Sequence, residues 1–386
     1  MPGQNGTREQ YLPFGRPDIG DQEIEAVVRI LRSGWLGMGA ETIAFEQELA
    51  ALFGADQVVT VNSCTSGLFL ALKAAGVGPG DEVVCPSLTW CSTANAALYL
   101  GATPVLCDVD LATLSVTPEH VLAKVGPKTR AVMVVHMGGH AVDVGAIRRA
   151  LPESVAIIED AAHALGACYP DGSPVGSSGN LTCFSFYANK NLSTGEGGAV
   201  ATADAVLADR LRSLRLHGLP SDAWSRFVNP RAALGFDIRE LGYKMNYTDL
   251  QAAIGRVQLK RQAEFRATRK KIAQRYWAAL PDIHPEIRCQ ADITHDYHAR
   301  HLFQIVLPEK GLTKTRDQIL LELRDRKIGA SIHYTPLHWM TLYKPFARNL
   351  TNTDNLAGRI MTLPIGAAIT DADVDYVIDN LRELVR

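Results

Sequence analysis

From Val58 to Ala203 short apolar runs alternate with stretches of helical spacing, and this alternation constrains the fold more than any other feature of the chain. The runs VVTV, DEVVCP, PVLCDVD, AVMVVH, AIIED, LTCFSF and GAVATA are each of strand length, with helical stretches between most of them. Strands that alternate with helices imply a mainly parallel α/β sheet. Several runs end in polar or otherwise unusual residues, and open sheets of this kind receive ligands beyond the carboxyl ends of their strands.

The flanking segments read as helices and one further strand. In DQEIEAVVRILRSG, Ile24, Val27, Val28 and Leu31 fall at helical spacing, and Gly34 ends the helix. Thr248 and Gln251 form a capping-box pattern ahead of Leu250, Ala253, Ile254 and Val257, a helix leading out of the large domain. Beyond about residue 260 come the basic helix RQAEFRATRKKIAQRYWAAL, read as a solvated face, and the strand HLFQIVLP. Thr315 and Gln318 introduce a helix with Ile319 and Leu323 inward, and a last helix follows Thr370 with Val374, Val377, Ile378 and Leu381 on one face. These segments predict a large domain over 1–260 and a smaller α/β domain over 261–386, and 386 residues suffice for two cores.

Charge and cysteine usage narrow the class of partner. A formal charge of −2 provides no field for nucleic acid or a membrane surface, which leaves a small-molecule substrate. The seven cysteines form no CxxC pair and read as reduced thiols, and the N-terminus has no apolar signal core. No stretch approaches about eighteen apolar residues, so the expected location is the cytoplasm. His295, His298 and His301 have no carboxylate pattern around them and read as a surface cluster, so no metal is expected.

The chemistry gathers at strand ends. Asp160 lies in IIEDAAHALG, and Lys190 follows thirty residues later in FSFYANKNLSTGEGG. Pyridoxal phosphate needs both groups: a lysine to hold its aldehyde as a Schiff base, and a carboxylate to keep its ring nitrogen protonated. Taken singly, a strand-end acid and a surface lysine explain the pair as well. In VNSCTSGLFLAL, Thr65 and Ser66 stand where a helix begins and could hold a phosphate or serve as plain caps. Ser185 offers another hydroxyl, and Trp90 in CPSLTWCSTANA could stack on the ring or fill the core. The glycines of GVGPGDE precede a strand, the wrong order for a dinucleotide turn, so a nucleotide-binding oxidoreductase is disfavoured.

Taken together, VNSCTSGLFLAL, PSLTWCSTANA, EDAAHALG, FSFYANKNLSTGEGG and GYKMNYTDLQAAIG resemble the DegT/DnrJ/StrS family of sugar aminotransferases, which are fold type I pyridoxal phosphate enzymes. The resemblance runs from FGRPDIGDQEIEAVVRILRSGWLGMG to LPIGAAITDADVDYVIDNL. It implies an α/β fold in which a large domain carries a mainly parallel seven-stranded sheet between helices and a smaller α/β domain follows. It makes Lys190 the Schiff-base lysine, Asp160 the partner of the ring nitrogen, Thr65, Ser66 and Ser185 phosphate ligands, Trp90 the stacking ring, and His163 the neighbour of the ring oxygen. It also implies a homodimer in which Asn246 completes the partner's phosphate site; read alone, Asn246 is a loop residue before the Thr248 cap. Tyr187, Arg215, His217, His333, Tyr334 and His338 become candidates on the substrate side, although isolated histidines are often structural.

The implied reaction is ping-pong transamination from glutamate or glutamine to a nucleotide-linked keto sugar, with Lys190 as the proton shuttle. Related dehydratases carry histidine in place of this lysine. His163 in EDAAH, with His136 and His140 in VVHMGGHAVDV, is more similar to enzymes that aminate C4 of a 4-keto-6-deoxy hexose. A 3-keto sugar, a scyllo-inosose type cyclitol and a non-catalytic pyridoxal phosphate-binding regulator stand as alternatives.

Overall fold

The computed structural model describes residues 8–220, 223–229 and 237–385. Its larger sheet holds β1 (Gln57–Val61), β2 (Glu82–Pro86), β3 (Thr103–Cys107), β4 (Thr129–Val135), β5 (Ala156–Asp160), β6 (Leu181–Ser185) and β7 (Gly198–Thr202). The strand order is β1-β7-β6-β5-β4-β2-β3. Only β7 runs against its neighbours β1 and β6, so the other strands share one direction and end at one edge.

Both faces of the sheet are covered, which is why its strands read as nearly unbroken apolar runs. Val132 and Val134 of β4 and Phe184 of β6 face a core shared with Phe45, Leu49 and Phe53 of the helix Ala40–Phe53. Ala131, Met133 and Cys183, alternating with them, face Leu68 and Leu72 of the helix Cys64–Ala74 and Leu211 of the helix Ala205–Leu214. Phe53 stacks on Phe184 with ring centroids 3.9 Å apart.

The helix Asp21–Ser33 forms and ends at Gly34, whose φ is 74°, but it is rotated from the face that its apolar spacing predicts. Ala26 and Ile30 pack on Ala253, whereas Ile24 and Leu31 are more than half exposed. Glu23 lies on the inward side. It is buried because its carboxylate accepts from the Gly20 N–H at 2.9 Å, Gln258 Nε2 at 2.7 Å and Arg261 at 3.1 Å. A carboxylate with this many donors can outweigh an apolar strip in setting which side of a helix turns inward.

The smaller sheet, of order β10-β9-β8, is antiparallel: β8 (Arg288–Cys289), β9 (Phe303–Val306) and β10 (Ile360–Leu363). Ile319, Leu323, Val374, Val377 and Leu381 fill its core with Ile272 and Tyr276, and Ile378 packs at the margin. Thr248, Thr315 and Thr370 each cap a helix through a reciprocal box with Gln251, Gln318 and Asp373. Leu12 joins the same core, bridging in parallel to Ile328.

The basic helix, Gln262–Ile283, keeps most of its basic side chains at the surface, and Arg269 is the exception to the reading of a solvated face. Arg269 is buried and donates to the carbonyls of Arg300 at 3.2 Å and Ile365 at 3.4 Å. Lys271 and Arg275 pair with Asp371 at 2.5 and 3.2 Å, which fastens this helix to the final one, Asp371–Leu384. The segment around Leu337, Tyr343 and Leu350 crosses back and packs in the core of the large sheet. Among the described residues no helix is long and apolar enough to cross a membrane.

Candidate active site

A cavity of about 400 Å³ opens at the carboxyl edge of the large sheet, where the chain leaves β1, β2, β5 and β6. Lys190, Asp160, His163, Thr65, Ser185 and Trp90 all line it, together with Tyr187, His333 and Tyr334. Trp90 is 58% exposed, so it is a cavity wall rather than a core residue. Six of the residues singled out for the cofactor thus converge from separate parts of the chain.

Lys190 sits in the connection from β6 to β7. Thr194 N–H donates to the Phe186 carbonyl, Tyr247 Oη donates to Thr194 Oγ1 at 2.7 Å, and Gln251 Nε2 donates to the Glu196 carbonyl at 2.8 Å. Gly197 passes so close to Tyr247 that a Cβ there would lie 2.6 Å from the ring, at a φ of +150°. Burial brings the Lys190 amine down to about 8, despite Cys64 and Asp160 nearby. An amine with that value is much more available as a nucleophile or base at neutral pH than an exposed lysine.

Asp160 ends β5 and is almost wholly buried. Its Oδ2 accepts the Thr93 hydroxyl at 2.9 Å, and its Oδ1 accepts the Ala162 N–H at 3.2 Å. Burial pushes its carboxyl above the usual value, against the pull of those two bonds and of the Lys190 charge. A cation brought to this carboxylate would offset the cost of burying it.

His163 is held in one tautomer. Its Nδ1 accepts the Gly138 N–H at 3.3 Å, which leaves the proton on Nε2, 3.1 Å from the Tyr334 hydroxyl. Burial, with Lys190 and His333 beside it, holds His163 well below the ordinary histidine value, so the ring is neutral. The Tyr334 oxygen therefore accepts from His163, and its own proton is free for another acceptor in the cavity. His333 is lowered to about 3, chiefly by burial, and its Nδ1 lies 3.0 Å from Thr362 Oγ1.

The remaining sequence candidates lie elsewhere in this chain. Ser66 turns its hydroxyl to Asn62 Oδ1 at 2.6 Å, and Ser63, the actual N-cap of its helix, lines the cavity instead. Arg215 is buried in an ion pair with Glu46 at 2.6 Å and donates to the Thr60 carbonyl. His338 bridges Ser87 at 2.6 Å and Asp354 at 2.9 Å, a brace between the two ends of the chain fold. His217 is exposed on the segment that follows Arg215, and Asn246 donates to the Tyr247 carbonyl at 2.8 Å outside the cavity lining.

The histidines near residue 298 do not form a surface cluster. His298 and His301 are buried, His298 against Gln290 at 3.1 Å and His301 against Asn191 at 3.2 Å, and only His295 is exposed. His136 is also internal: Nε2 faces Glu159 at 2.9 Å and Nδ1 accepts the Val142 N–H. His140 is partly buried, with Nε2 3.6 Å from Asp292. Among the described residues no group of three or more histidine, cysteine or acidic side chains could hold a metal ion. Among the site residues that sequence reasoning missed are Ser63, Thr89 and Thr93, whose only signal was a hydroxyl soon after a strand, and Cys64, Ser92, Asn189 and Glu196.

The family model described as the DegT/DnrJ/EryC1/StrS aminotransferase family matches residues 17–382. The chain belongs to this family. The aminotransferase is 43% identical to the spore coat polysaccharide biosynthesis protein SpsC of Bacillus subtilis (strain 168), with 98% of each chain covered. It is also similar in structure to the aminotransferase TlmJ of Streptoalloteichus hindustanus, at 36% identity and a TM-score of 0.87, covering 97% and 98% of the two chains. The putative sugar aminotransferase Spr1654 of Streptococcus pneumoniae, solved in a PLP-form, matches at 30% identity and a TM-score of 0.87, covering 97% and 98%. The fold is therefore that of the fold type I sugar aminotransferases, and the cofactor is pyridoxal 5′-phosphate. The cavity suits that group: an amine, a buried carboxylate, several hydroxyls and an indole share its walls.

Proposed function

We propose that this sugar aminotransferase passes an amino group from glutamate or glutamine to the C4 keto group of a nucleotide-linked 6-deoxy hexose, in two half-reactions at one site. The observation that carries this reading is the meeting of Lys190 and Asp160 with His163, His333 and Tyr334 in a single cavity. Pyridoxal phosphate supplies the electron sink when bound.

The chain's own residues do the rest. Lys190 would hold the cofactor by its aldehyde, and its amine, neutral when released, would take the proton from the donor's Cα and give it up again on the far side of the transferred nitrogen. Asp160 holds the proton on the ring nitrogen. Ser63, Thr65 and Ser185, with the N–H groups that begin the helix Cys64–Ala74, take the phosphate, and Trp90 covers one face of the ring. The Tyr334 proton, left free by the His163 tautomer, is offered to an oxygen of the incoming sugar, with His333 and Tyr187 beside it. Because the keto acid leaves before the sugar enters, with the amino group kept at the site, the kinetics would be ping-pong.

The same reading makes the enzyme a homodimer in which Asn246 reaches the partner's phosphate site. Its position outside its own cavity supports this, as do the apolar side chains Ile24, Leu31, Ile238 and Leu241 left on the surface. Seven unpaired cysteines support a reducing, cytoplasmic setting. Similarity to a spore coat polysaccharide biosynthesis protein supports an amino sugar made for a surface glycan.

The test is to treat the enzyme with glutamate, remove the donor, and ask which keto sugar nucleotide restores the original cofactor absorbance. Recovery with a 4-keto-6-deoxy sugar is expected. Recovery only with a 3-keto sugar or a cyclitol would overturn the C4 assignment. If no keto acid is released from any donor, the protein is a cofactor-binding regulator instead.

A further inference from the structure

Asp160 is joined on its Oδ2 side to a short line of buried hydroxyls. Thr93 Oγ1 lies 2.9 Å from Asp160 Oδ2, and Thr89 Oγ1 lies 2.9 Å from Thr93 Oγ1. Both threonines are buried, Thr93 at 0% and Thr89 at 2% exposure, with Thr89 at the cavity wall. A hydroxyl has a single proton, and an ionised carboxylate only accepts. With Asp160 charged, the Thr93 proton is committed to Oδ2, and the contact between the threonines must be filled by the Thr89 proton. The line then has one direction, from Thr89 through Thr93 to Asp160.

We infer that Thr93, primed by Thr89, is a positioning residue that keeps Asp160 ionised and turned toward the cavity, ready for the protonated ring nitrogen of the cofactor. The inference rests on the assignment of Asp160 to that nitrogen. Three features support it. Burial alone drives the carboxyl toward its neutral form, and the Thr93 bond is the strongest of the contacts that oppose this. Thr93 stands in the first turn of the helix Ser92–Tyr99, where the backbone dipole also favours an anion. Its own N–H donates to the carbonyl of Trp90 at 3.2 Å, so one turn of chain fixes both the acid's partner and the indole on the cavity wall.

Cutting the line should change the charge state of Asp160 without changing how the donor is recognised. The experiment compares Thr93→Val, which keeps the shape and loses the hydroxyl, with Thr93→Ser, which keeps it, and with Asp160→Asn. In cofactor-free protein, the carboxylate band that Asp160→Asn abolishes is titrated by infrared difference spectroscopy. In holoenzyme, the single-turnover rate with glutamate or glutamine, whichever the wild type consumes, is measured against donor concentration. Thr93→Val is expected to raise the carboxyl midpoint by about one pH unit and to slow the half-reaction by about tenfold, with half-saturation by the donor unchanged. Thr93→Ser should stay within about twofold of wild type on the same scale of hydrogen-bond strengths. Should Thr93→Val fail to fold, Thr89→Val should shift both readouts in the same direction by a smaller factor.

Wild-type values for Thr93→Val, or for Thr89→Val in its place, while Asp160→Asn is slow, would overturn the role of the hydroxyl line and leave Asp160 in place. A fast half-reaction in Asp160→Asn would instead overturn the assignment of Asp160.

Discussion

At the scale of single residues, the proposed chemistry hangs on an amine that burial brings down to about 8 from an ordinary 10.5. A lowered lysine value means that the neutral, nucleophilic form appears at lower pH. Capture of pyridoxal phosphate by cofactor-free protein should therefore speed up by about tenfold per pH unit below about pH 8 and level off above it. Stopped-flow absorbance would show this, and a rate still climbing steeply near about pH 10 would mean that Lys190 titrates as an ordinary lysine. Lys190→Ala should lose roughly 10²–10⁴-fold or more in transamination rate. After borohydride treatment, no cofactor should remain on the peptide that spans Phe184–Gly198. Asp160 and Lys190 were legible in the sequence because each ends or follows an apolar run whose strand could be recognised. Arg215 and His338 were misleading for the opposite reason. A charged or imidazole side chain looks the same in a sequence whether it faces a ligand or, as with Glu46 for Arg215 and Ser87 for His338, another residue of the chain.

At the scale of elements, local signals near helix starts were the most readable, since a capping box is contained within four residues. Thr248, Thr315 and Thr370 all formed theirs. The face that a helix presents was less readable, because it depends on distant residues: Gln258 and Arg261 pull Glu23 inward and leave Ile24 outside. Asp249 illustrates a cap that no local pattern reveals. It receives the N–H of Gly39 at 2.8 Å and of Thr42 at 2.9 Å, together with the Thr42 hydroxyl at 2.6 Å, and so caps the helix Ala40–Phe53 from more than two hundred residues away. Asp249→Ala should cost about 2–4 kcal/mol, since it strips several buried donors of a charged acceptor. The midpoint of urea unfolding reads this, and a loss below about 0.5 kcal/mol would show that water or a neighbour replaces the carboxylate.

At the scale of the whole molecule, the proposed exchange of Asn246 between subunits has a quantitative consequence. Lys190→Ala and Asn246→Ala homodimers should each be nearly inactive. When the two are mixed in equal amounts and allowed to exchange, half of the dimers are mixed, and each mixed dimer regains one intact site. Activity should then recover to about a quarter of the wild-type value. No recovery, with exchange shown by mass spectrometry, would place Asn246 in its own subunit's site. The sheet architecture was legible because strands buried on both faces are apolar throughout. The joining of the C-terminal segment to the large core was not, because Leu337 and Leu350 look like any other buried leucines.

The pairing of Leu12 with Ile328 ties two distant stretches of the chain into one event of folding. The Leu12 N–H donates to the Lys327 carbonyl and the Gly329 N–H donates to the Leu12 carbonyl, both at 2.8 Å, so two stretches more than three hundred positions apart in the sequence must meet before either is seated. Contacts of such separation form late. His333 and Tyr334 follow the same stretch, so this part of the cavity wall is expected to settle together with that long-range pairing.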